Sequence, residues 1–195
     1  MSKTKTEKSS RTQARIIEAA RVIFARDGFA EAALSEIIAK ANVTTGAIYY
    51  HFTDKQGLFL AVAERLELEI LEEASKRINA TGDPWEAFET SVLDTLEICA
   101  RPDILRIVFR EAPAVIGLRE WREIEVKYAF GLMQATVKEL AKAGLIKSDL
   151  PDMTAQILLG ALMEAAHTVA SAKNKSKALK AAKETLRVIL RALKS

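Results

Sequence analysis

The chain of 195 residues has little cysteine, proline or glycine. Cys99 is its single cysteine, which excludes an intrachain disulfide and fits the reducing cytoplasm, where we expect the protein to act. Four prolines and eight glycines are too few for an all-β fold, which needs many tight turns. The hydrophobic share of 49% is typical of a soluble globular protein, and the length allows one domain or two small ones.

Long uncharged apolar runs are also missing. The most apolar stretch, residues 153–172, carries Glu164 near its middle, with Gln156 and His167 on either side. A carboxylate at that depth is costly in lipid, so we expect a tightly packed protein helix here and no membrane partner. Residues 1–15 are basic and polar with no apolar run behind them, so no signal peptide is expected.

Charge is distributed unevenly, although the net charge is only +3. Residues 1–26 hold seven Lys or Arg against two Glu, whereas residues 57–172 hold twelve against nineteen Asp or Glu. A basic N-terminal part on an acidic body indicates that one end of the protein contacts a polyanion. Residues 173–195 hold eight basic residues against one acidic residue, and we interpret this second basic run as a solvated helix face.

Apolar residues recur at helical spacing through nearly the whole chain, without strand-like alternation, which predicts an all-α fold of about nine helices. We predict a disordered basic arm over residues 1–10, a DNA-binding domain over 11–56 and a ligand-binding and dimerisation domain over 57–195. The first helix should end at Gly28. Further helices are predicted near residues 34–40, 45–51, 55–79, 84–100, 102–111, 117–143, 152–172 and 175–194.

Residues 34–52 have the pattern of two short helices around a tight turn. Asn42 lies where the turn needs a left-handed backbone, and Thr44 can cap the second helix. That helix then exposes residues 45–47 and 49–50, which are small or carry hydroxyl groups. A helix that enters a DNA groove needs such residues, so the segment predicts a helix-turn-helix.

Residues 11–58 resemble the DNA-binding domain of the TetR family. The matching residues occur in one register: Ile17, Ala19, Ala20, Phe24, Gly28, Phe29, Ile37, Ala41, Val43, Gly46, Tyr49, His51, Phe52, Lys55 and Leu58. The resemblance implies a third helix in the major groove and a phosphate contact at the start of the fourth. It assigns these residues to DNA: Ser35, Thr44, Thr45, Gly46, Ala47, Tyr49, Tyr50, His51 and Lys55.

This region departs from the family pattern at three positions. Ala32 and Ala33 stand where many members have hydroxyl residues, and Asn42 replaces the usual glycine. Ser35 can partly replace the contacts that these hydroxyl residues would make from the second helix to the DNA backbone. Tyr49 and His51 have a second interpretation, in which their rings chiefly pack the domain.

The resemblance also implies a helical body that encloses a ligand cavity. Aromatic and Met side chains suit a mostly apolar compound, and a few polar groups would orient it. The candidate ligand-binding residues are Phe109, Arg110, Trp121, Glu125, Tyr128, Met163 and His167. The aromatic residues have the alternative of ordinary core packing, and His167 that of a satisfied core histidine. One cysteine and two histidines build no convincing metal site, and we expect no cofactor.

The last predicted helix has two adjacent apolar seams. One contains Leu179, Ala182, Leu186, Ile189 and Leu193, and the other Ala178, Ala181, Thr185, Val188 and Ala192. One seam suffices to dock a helix on its own core, so two predict either a homodimer or a helix buried deeply in a monomer. The candidate interface residues are Gly160, Ala161, Glu164, Ala182, Leu186, Ile189 and Leu193.

Together with these patterns, the resemblance to the TetR family implies a ligand-responsive DNA-binding transcriptional repressor. A mostly apolar small molecule would release the homodimer from a palindromic operator on double-stranded DNA. The alternatives are an activator of the same fold, a helical protein-binding adaptor, or a small hydrolase with Cys99 as nucleophile and His167 as base. No nucleophile elbow or phosphate loop supports the hydrolase.

Overall fold

A computed structural model of the protein describes residues 2–78 and 82–195. The N-terminal helices are α1 (Ser2–Glu31), α2 (Leu34–Ala41) and α3 (Thr45–His51). The helices that follow are α4 (Lys55–Ile78), α5 (Pro84–Cys99), α6 (Pro102–Ile104), a π-helical segment (Leu105–Glu111), α7 (Ala112–Ile116), α8 (Leu118–Lys142), α9 (Pro151–Ser171) and α10 (Lys175–Leu193). Counting the contiguous stretch 102–116 as one bent helix, these residues form nine helices, which confirms the all-α prediction.

The structure corrects two predicted boundaries. Residues 2–10, predicted as a disordered arm, belong to α1, because no proline or glycine interrupts the chain before Gly28. The helix predicted at 102–111 continues to Ile116, because Pro113 lies in the first turn of α7, where a proline is tolerated. Met1 and the predicted break at residue 81 lie outside the described residues.

Helices α1 to α3 pack together through buried residues that are continuous with the hydrophobic core of the body. Ile16 and Phe24 of α1, Ile37 of α2 and Ile48 of α3 are completely or almost completely buried. On α1 the buried residues Ile16, Ala19, Ala20, Ile23 and Phe24 recur at helical spacing, so they lie on one face of that helix. This core fixes the angle between α2 and α3.

Helix α4 belongs to both parts of the molecule. Its first half contributes Leu58 and Phe59 to the core around α1, and its second half contributes Ile70 and Ala74 to the core of the body. With 24 residues it spans about 36 Å. The body is built from α4, α5, α8 and α9, with α10 packed outside α5 and α9.

Ion pairs fix α10 on α5. Lys183 pairs with Glu97, and Arg187 and Arg191 approach Glu89 at 3.7 and 3.6 Å. Part of the basic run near the C-terminus therefore offsets the acidic body. None of the described helices has the length and apolar character needed to cross a membrane.

Candidate DNA-binding surface and ligand cavity

The turn between α2 and α3 has the geometry that the sequence predicts. Asn42 adopts a left-handed backbone, with φ 49° and ψ 57°, and the Val43 N–H donates to the carbonyl of Ile38 at 3.2 Å. Thr44 caps α3, because its Oγ1 accepts from the N–H of Ala47 at 3.3 Å. The guanidinium of Arg15 donates to the Asn42 carbonyl at 3.1 Å, which fastens the turn to α1.

One face of α3 is exposed and presents the predicted DNA-binding residues. Ile48 is buried, whereas Tyr49 and Tyr50 are 56% and 76% exposed. Ser35 on α2 and Thr44, Thr45 and Gly46 are exposed too, while Ala47 and His51 are half-buried. The hydroxyl groups and the open backbone at the start of α3 therefore lie on one continuous surface.

His51 has surroundings that fit its packing interpretation. Its ring lies 5.0 Å from the Tyr50 ring and 6.1 Å from the ring of the buried Phe52, between ring centroids. Tyr50 meets it edge-on, at an interplanar angle of 83°. The imidazole thus supports the end of α3.

Lys55 starts α4 beside this surface. Its ammonium donates to the Ala30 carbonyl at 3.1 Å and lies 4.9 Å from the centroid of the Phe29 ring. Both partners are neutral, so the positive charge stays available to a phosphate. Asp54 caps the same helix by accepting from the Gly57 N–H at 2.8 Å.

A junction of charged residues joins the DNA-binding helices to the body, and the sequence patterns gave no sign of it. Glu111, at the end of the π-helical segment, accepts from the backbone N–H of Phe29 at 2.6 Å. Arg106 bonds the other Glu111 oxygen at 3.0 Å and donates to the carbonyls of Ala25 and Arg26. Gly28 has a φ of +83°, and a Cβ there would lie 2.6 Å from Glu111 Oε1, so the junction requires glycine.

The π-helical segment has a cause in the sequence. In an α-helix the carbonyl of Phe109 would accept from residue 113, but Pro113 has no N–H. The Ala112 N–H instead bonds the Ile107 carbonyl, five residues back. His167 Nδ1 lies 3.1 Å from the Phe109 oxygen, and because a carbonyl only accepts, the imidazole donates.

An apolar cavity lies in the body between α4, α5, α8 and α9. It holds about 530 Å³ of empty space, its open mouth included. Its walls include Ile70, Leu71, Phe88, Val92, Leu132, Met133, Leu159 and Leu162. A smaller recess shares some of these walls and is also lined by Cys99, Phe109 and Met163. Through Phe109 this recess reaches the π-helical segment.

The predicted ligand-binding residues divide into three groups. Phe109, Tyr128 and Met163 line the cavity and its recess. Arg110 and Trp121 lie outside this lining: Arg110 is exposed and borders two other clefts, and Trp121 is 1% exposed in the core near the start of α8. Trp121 lies seven residues, about 10 Å, before Tyr128 along the helix, which explains why it misses the cavity.

Glu125 and His167 lie together beside the recess. His167 Nε2 is 3.6 Å from Glu125 Oε1, and Arg122 is 4.0 Å from the other carboxylate oxygen. Glu125 is 2% exposed, and its carboxylate raises the pKa of His167. His167 also borders a cleft on the outer surface, and its ring nitrogens contact the Phe109 carbonyl and the Glu125 carboxylate.

Glu67 is a cavity residue that the sequence interpretation missed. It lines both the cavity and the recess and is 5% exposed. Burial, with the nearby charge of Glu125, raises the pKa of Glu67 to about 8. A signal was available, because Glu67 stands between Leu66 and Ile70, on the face of α4 that is otherwise apolar.

The structure gives the hydrolase alternative no support. Cys99 is buried, and burial raises the pKa of its thiol, so the nucleophilic thiolate is disfavoured at neutral pH. His167 already contacts the Phe109 carbonyl and Glu125. Within residues 2–78 and 82–195, no group of three or more His, Cys, Asp or Glu is arranged to hold a metal ion.

Helices α9 and α10 present an exposed apolar face. Met153 and Ile157 of α9 are 58% and 62% exposed, and Val188 of α10 is 68% exposed. Among the candidate interface residues, Glu164 and Ile189 are exposed, and Gly160, Ala161, Ala182 and Leu193 are half-buried. The interface prediction is corrected for Leu186, which is 3% exposed because it packs within its own subunit. The outward seam of α10 is the one with Ala181, Thr185, Val188 and Ala192.

Comparison with known proteins agrees with this geometry. Residues 16–62 match the family described as bacterial regulatory proteins, tetR family, and residues 85–193 match the tetracyclin repressor-like C-terminal domain. The HTH-type transcriptional repressor BepR of Brucella suis is 29% identical over 173 residues, which cover 82% of this chain and 80% of BepR.

Two solved structures share the fold. A TetR-family transcriptional regulator of Pectobacterium atrosepticum is 30% identical, with a TM-score of 0.86 and 96% of each chain covered. The complex of SmeT with triclosan is 20% identical, with a TM-score of 0.71, and the match covers 93% of this chain and 90% of SmeT. The chain therefore belongs to the TetR family of bacterial transcriptional regulators.

Proposed function

We propose that this protein represses transcription by binding a palindromic operator as a homodimer, and that a small molecule in the body cavity releases it. The observation that carries the proposal is the placement of the cavity. Its recess reaches Phe109, on the same short π-helical segment whose Arg106 and Glu111 hold the end of α1. BepR, to which the chain is similar, is a repressor.

DNA binding would use the exposed face of α3. Thr45, Tyr49 and Tyr50 offer hydroxyl groups to bases and phosphates, and Lys55 offers a charge that its neutral partners leave uncompensated. Arg11 and Arg15 lie exposed on α1, and Arg15 already holds the turn before α3. A dimer would place one α3 in each half-site, so its two-fold symmetry requires a palindrome.

Release would follow from a shift of the π-helical segment. A ligand that fills the recess contacts Phe109, whose carbonyl is held by the His167 ring instead of a helical N–H. Displacement of Phe109 moves Arg106 and Glu111, and with them the end of α1. We place this activity in the cytoplasm, where the operator is, and propose that the protein performs no catalysis.

The test is a selection of bound duplexes from a random pool with the full-length protein. We expect a palindromic consensus whose half-sites lie about one helical turn, roughly 10 base pairs, apart or more. Thr45→Ala should change the preferred base at one symmetric pair of positions, whereas Thr90→Ala, at an exposed residue of α5, should leave the consensus unchanged. An asymmetric consensus, or no enrichment by a folded protein, contradicts the proposal.

A further inference from the structure

Glu67 is buried, and one oxygen of its carboxyl group lacks a hydrogen-bond partner. This Oε1 finds none among residues 2–78 and 82–195, and the residue is 5% exposed. It borders both the wide part of the cavity and the recess, so the carboxyl group lies where the two meet. A buried polar group that lacks a partner destabilises the protein. In a cavity wall, such a group is explained if a bound ligand supplies the missing partner.

The other polar side chains in the cavity wall use their hydrogens within the protein. Ser91 donates to the Ala74 carbonyl at 3.1 Å, and Thr95 donates to the Ser91 carbonyl at 2.7 Å. Tyr128 donates to Glu64 at 3.1 Å. In an otherwise apolar wall, Glu67 is therefore the group best placed to orient a ligand.

The charges around Glu67 leave it without a cation. Glu125 of α8 faces it as a second carboxylate, and the thiol of Cys99 on α5 and the phenol of Tyr128 on α8 are uncharged at neutral pH. The nearby cationic groups, Arg122 and His167, lie 4.0 and 3.6 Å from Glu125. Arg122 and His167 therefore compensate Glu125, and ionised Glu67 is left without a cationic partner among the described residues.

We propose that the cavity binds an apolar organic cation, whose ammonium group pairs with the ionised carboxylate of Glu67 while its hydrocarbon part fills the apolar walls. This inference rests on the proposed function, because it names the class of the ligand that releases the operator. An ammonium group paired with Glu67 supplies both the missing hydrogen-bond donor and the missing positive charge, in a site from which water is largely excluded. Recognition of a neutral hydrogen-bond acceptor by protonated Glu67 is the competing outcome.

Cation binding should release a proton. With a pKa of about 8, Glu67 is mostly protonated at pH 7 in the empty cavity, and an ammonium group requires the carboxylate. The affinity for an amine should therefore rise as the pH increases from about 6 to 8, by up to about ten-fold per unit. A neutral ligand held by the protonated carboxyl group would show no such rise.

The test is calorimetric titration of the full-length protein with ω-phenylalkylamines and the alcohols of equal length, beginning with 4-phenylbutylamine and 4-phenylbutanol. We expect the amine to bind at least ten-fold more tightly than its alcohol at pH 7. Titrations in buffers of different ionisation enthalpy should show nearly one proton released per amine bound, and none per alcohol. Glu67→Gln should abolish the amine's advantage and the proton release but leave alcohol binding unchanged.

Two further variants make the result decisive. Glu72→Gln makes the same change on the same helix at a side chain that is 54% exposed, so it should behave as wild type. Glu67→Asp keeps the charge and should retain the proton release even if Glu67→Gln fails to fold. Equal affinities for amine and alcohol, no binding of either series, or amine binding without proton release would each overturn the inference. Duplex binding, measured separately, shows whether the proposed function survives that outcome.

Discussion

The fold alone does not explain why residue 46 is glycine or why residue 55 is lysine. A Cβ on Gly46 would meet only Thr44 Oγ1, at 3.9 Å, which is an ordinary contact. The two contacts of Lys55, with the Ala30 carbonyl and the Phe29 ring, are made to neutral groups and leave its positive charge uncompensated. Glu67 is the opposite case, since its burial is costly to the fold and is explained by the cavity.

Replacement of Gly46 by Ala separates folding from DNA binding. We expect Gly46→Ala to leave the melting temperature unchanged or slightly raised, because alanine favours a helix by up to about 1 kcal/mol over glycine. Operator affinity should fall at least ten-fold if the backbone of α3 approaches DNA closely. Gly131→Ala is the control, because Gly131 lies exposed in α8 with open space around it. Undiminished affinity of Gly46→Ala in a duplex titration would remove Gly46 from the interface.

Lys55 should contribute affinity without sequence preference. We expect Lys55→Ala to weaken binding to operator and random duplexes alike, because a phosphate contact carries no sequence information. The slope of log affinity against log salt should fall by about one for each phosphate that Lys55 neutralises. Lys76→Ala tests the same change near the far end of α4, where Lys76 pairs with Glu73, and should leave both quantities unchanged. An unaltered salt slope for Lys55→Ala argues for a purely structural lysine.

The carboxyl group of Glu67 should make stability depend on pH. Its pKa rises from 4.5 to about 8 on folding, so between these values the folded protein binds more protons than the unfolded chain. The free energy of unfolding should therefore decrease as the pH rises from about 5 to 8. His167, with its raised pKa, contributes in the same direction, so the informative quantity is the difference between variant and wild type. Urea titrations of Glu67→Gln should show a flatter pH dependence than wild type, and an equal slope contradicts this assignment.

Among the elements, the π-helical segment is the one that links the two parts of the molecule. Its Phe109 touches the recess, and its Arg106 and Glu111 touch the end of α1. Short π-helical turns occur often at functional sites, since they re-aim side chains that a regular helix would direct elsewhere. Here Pro113 withholds a backbone N–H, and His167 supplies the replacement hydrogen bond.

Removal of the Glu111 side chain should weaken the link between cavity and DNA. Glu111→Ala leaves the Phe29 N–H and Arg106 without that carboxylate, which costs stability on the order of 1–3 kcal/mol. We expect operator affinity without ligand to change by a few-fold at most, and the ligand-induced decrease in affinity to shrink, because this coupling is worth about 1–3 kcal/mol. Fluorescence anisotropy with and without the amine probe measures both, with Glu120→Ala on exposed α8 as control. Full ligand response in Glu111→Ala would place the coupling elsewhere.

For the whole molecule, the exposed apolar face of α9 and α10 is the surface that the proposed homodimer would bury. Met153, Ile157 and Val188 are each more than half exposed, and small residues at 160 and 161 allow close helix approach. Apolar faces of this kind are covered in obligate dimers. The same assembly would set the separation of the two α3 helices and hence the spacing of the half-sites.

Charge on this face should break the dimer without unfolding the subunit. Val188→Glu should yield a helical monomer with at least ten-fold weaker operator binding, because a carboxylate would be buried against the partner. Leu186→Glu should instead unfold the chain, since Leu186 lies in the subunit's own core. Leu118→Glu, at an apolar residue of α8 that is 73% exposed, serves as control. Light scattering and circular dichroism distinguish these results, and a dimeric Val188→Glu or a monomeric wild type contradicts the proposed interface.

The sequence determined which segments form helices and where the helix-turn-helix lies. Periodicity fixed the helices to within a few residues, because side-chain spacing along one segment suffices to define its buried face. Asn42 and Thr44 fixed the turn through local backbone and capping preferences. The arm was the exception: residues 2–10 are helical although they have no apolar face and are rich in Ser and Thr, which favour a helix weakly.

Only the tertiary structure decided which side chains meet across helices. Trp121 and Tyr128 share a face of α8, but only Tyr128 reaches the cavity, because that depends on where α4 and α5 pack. Both seams of α10 look alike in the sequence, and the docking of α10 on α5 and α9 turned Leu186 inward and Val188 outward. Glu67 and the Arg106–Glu111 junction depend on contacts between residues distant in sequence, which local spacing does not encode.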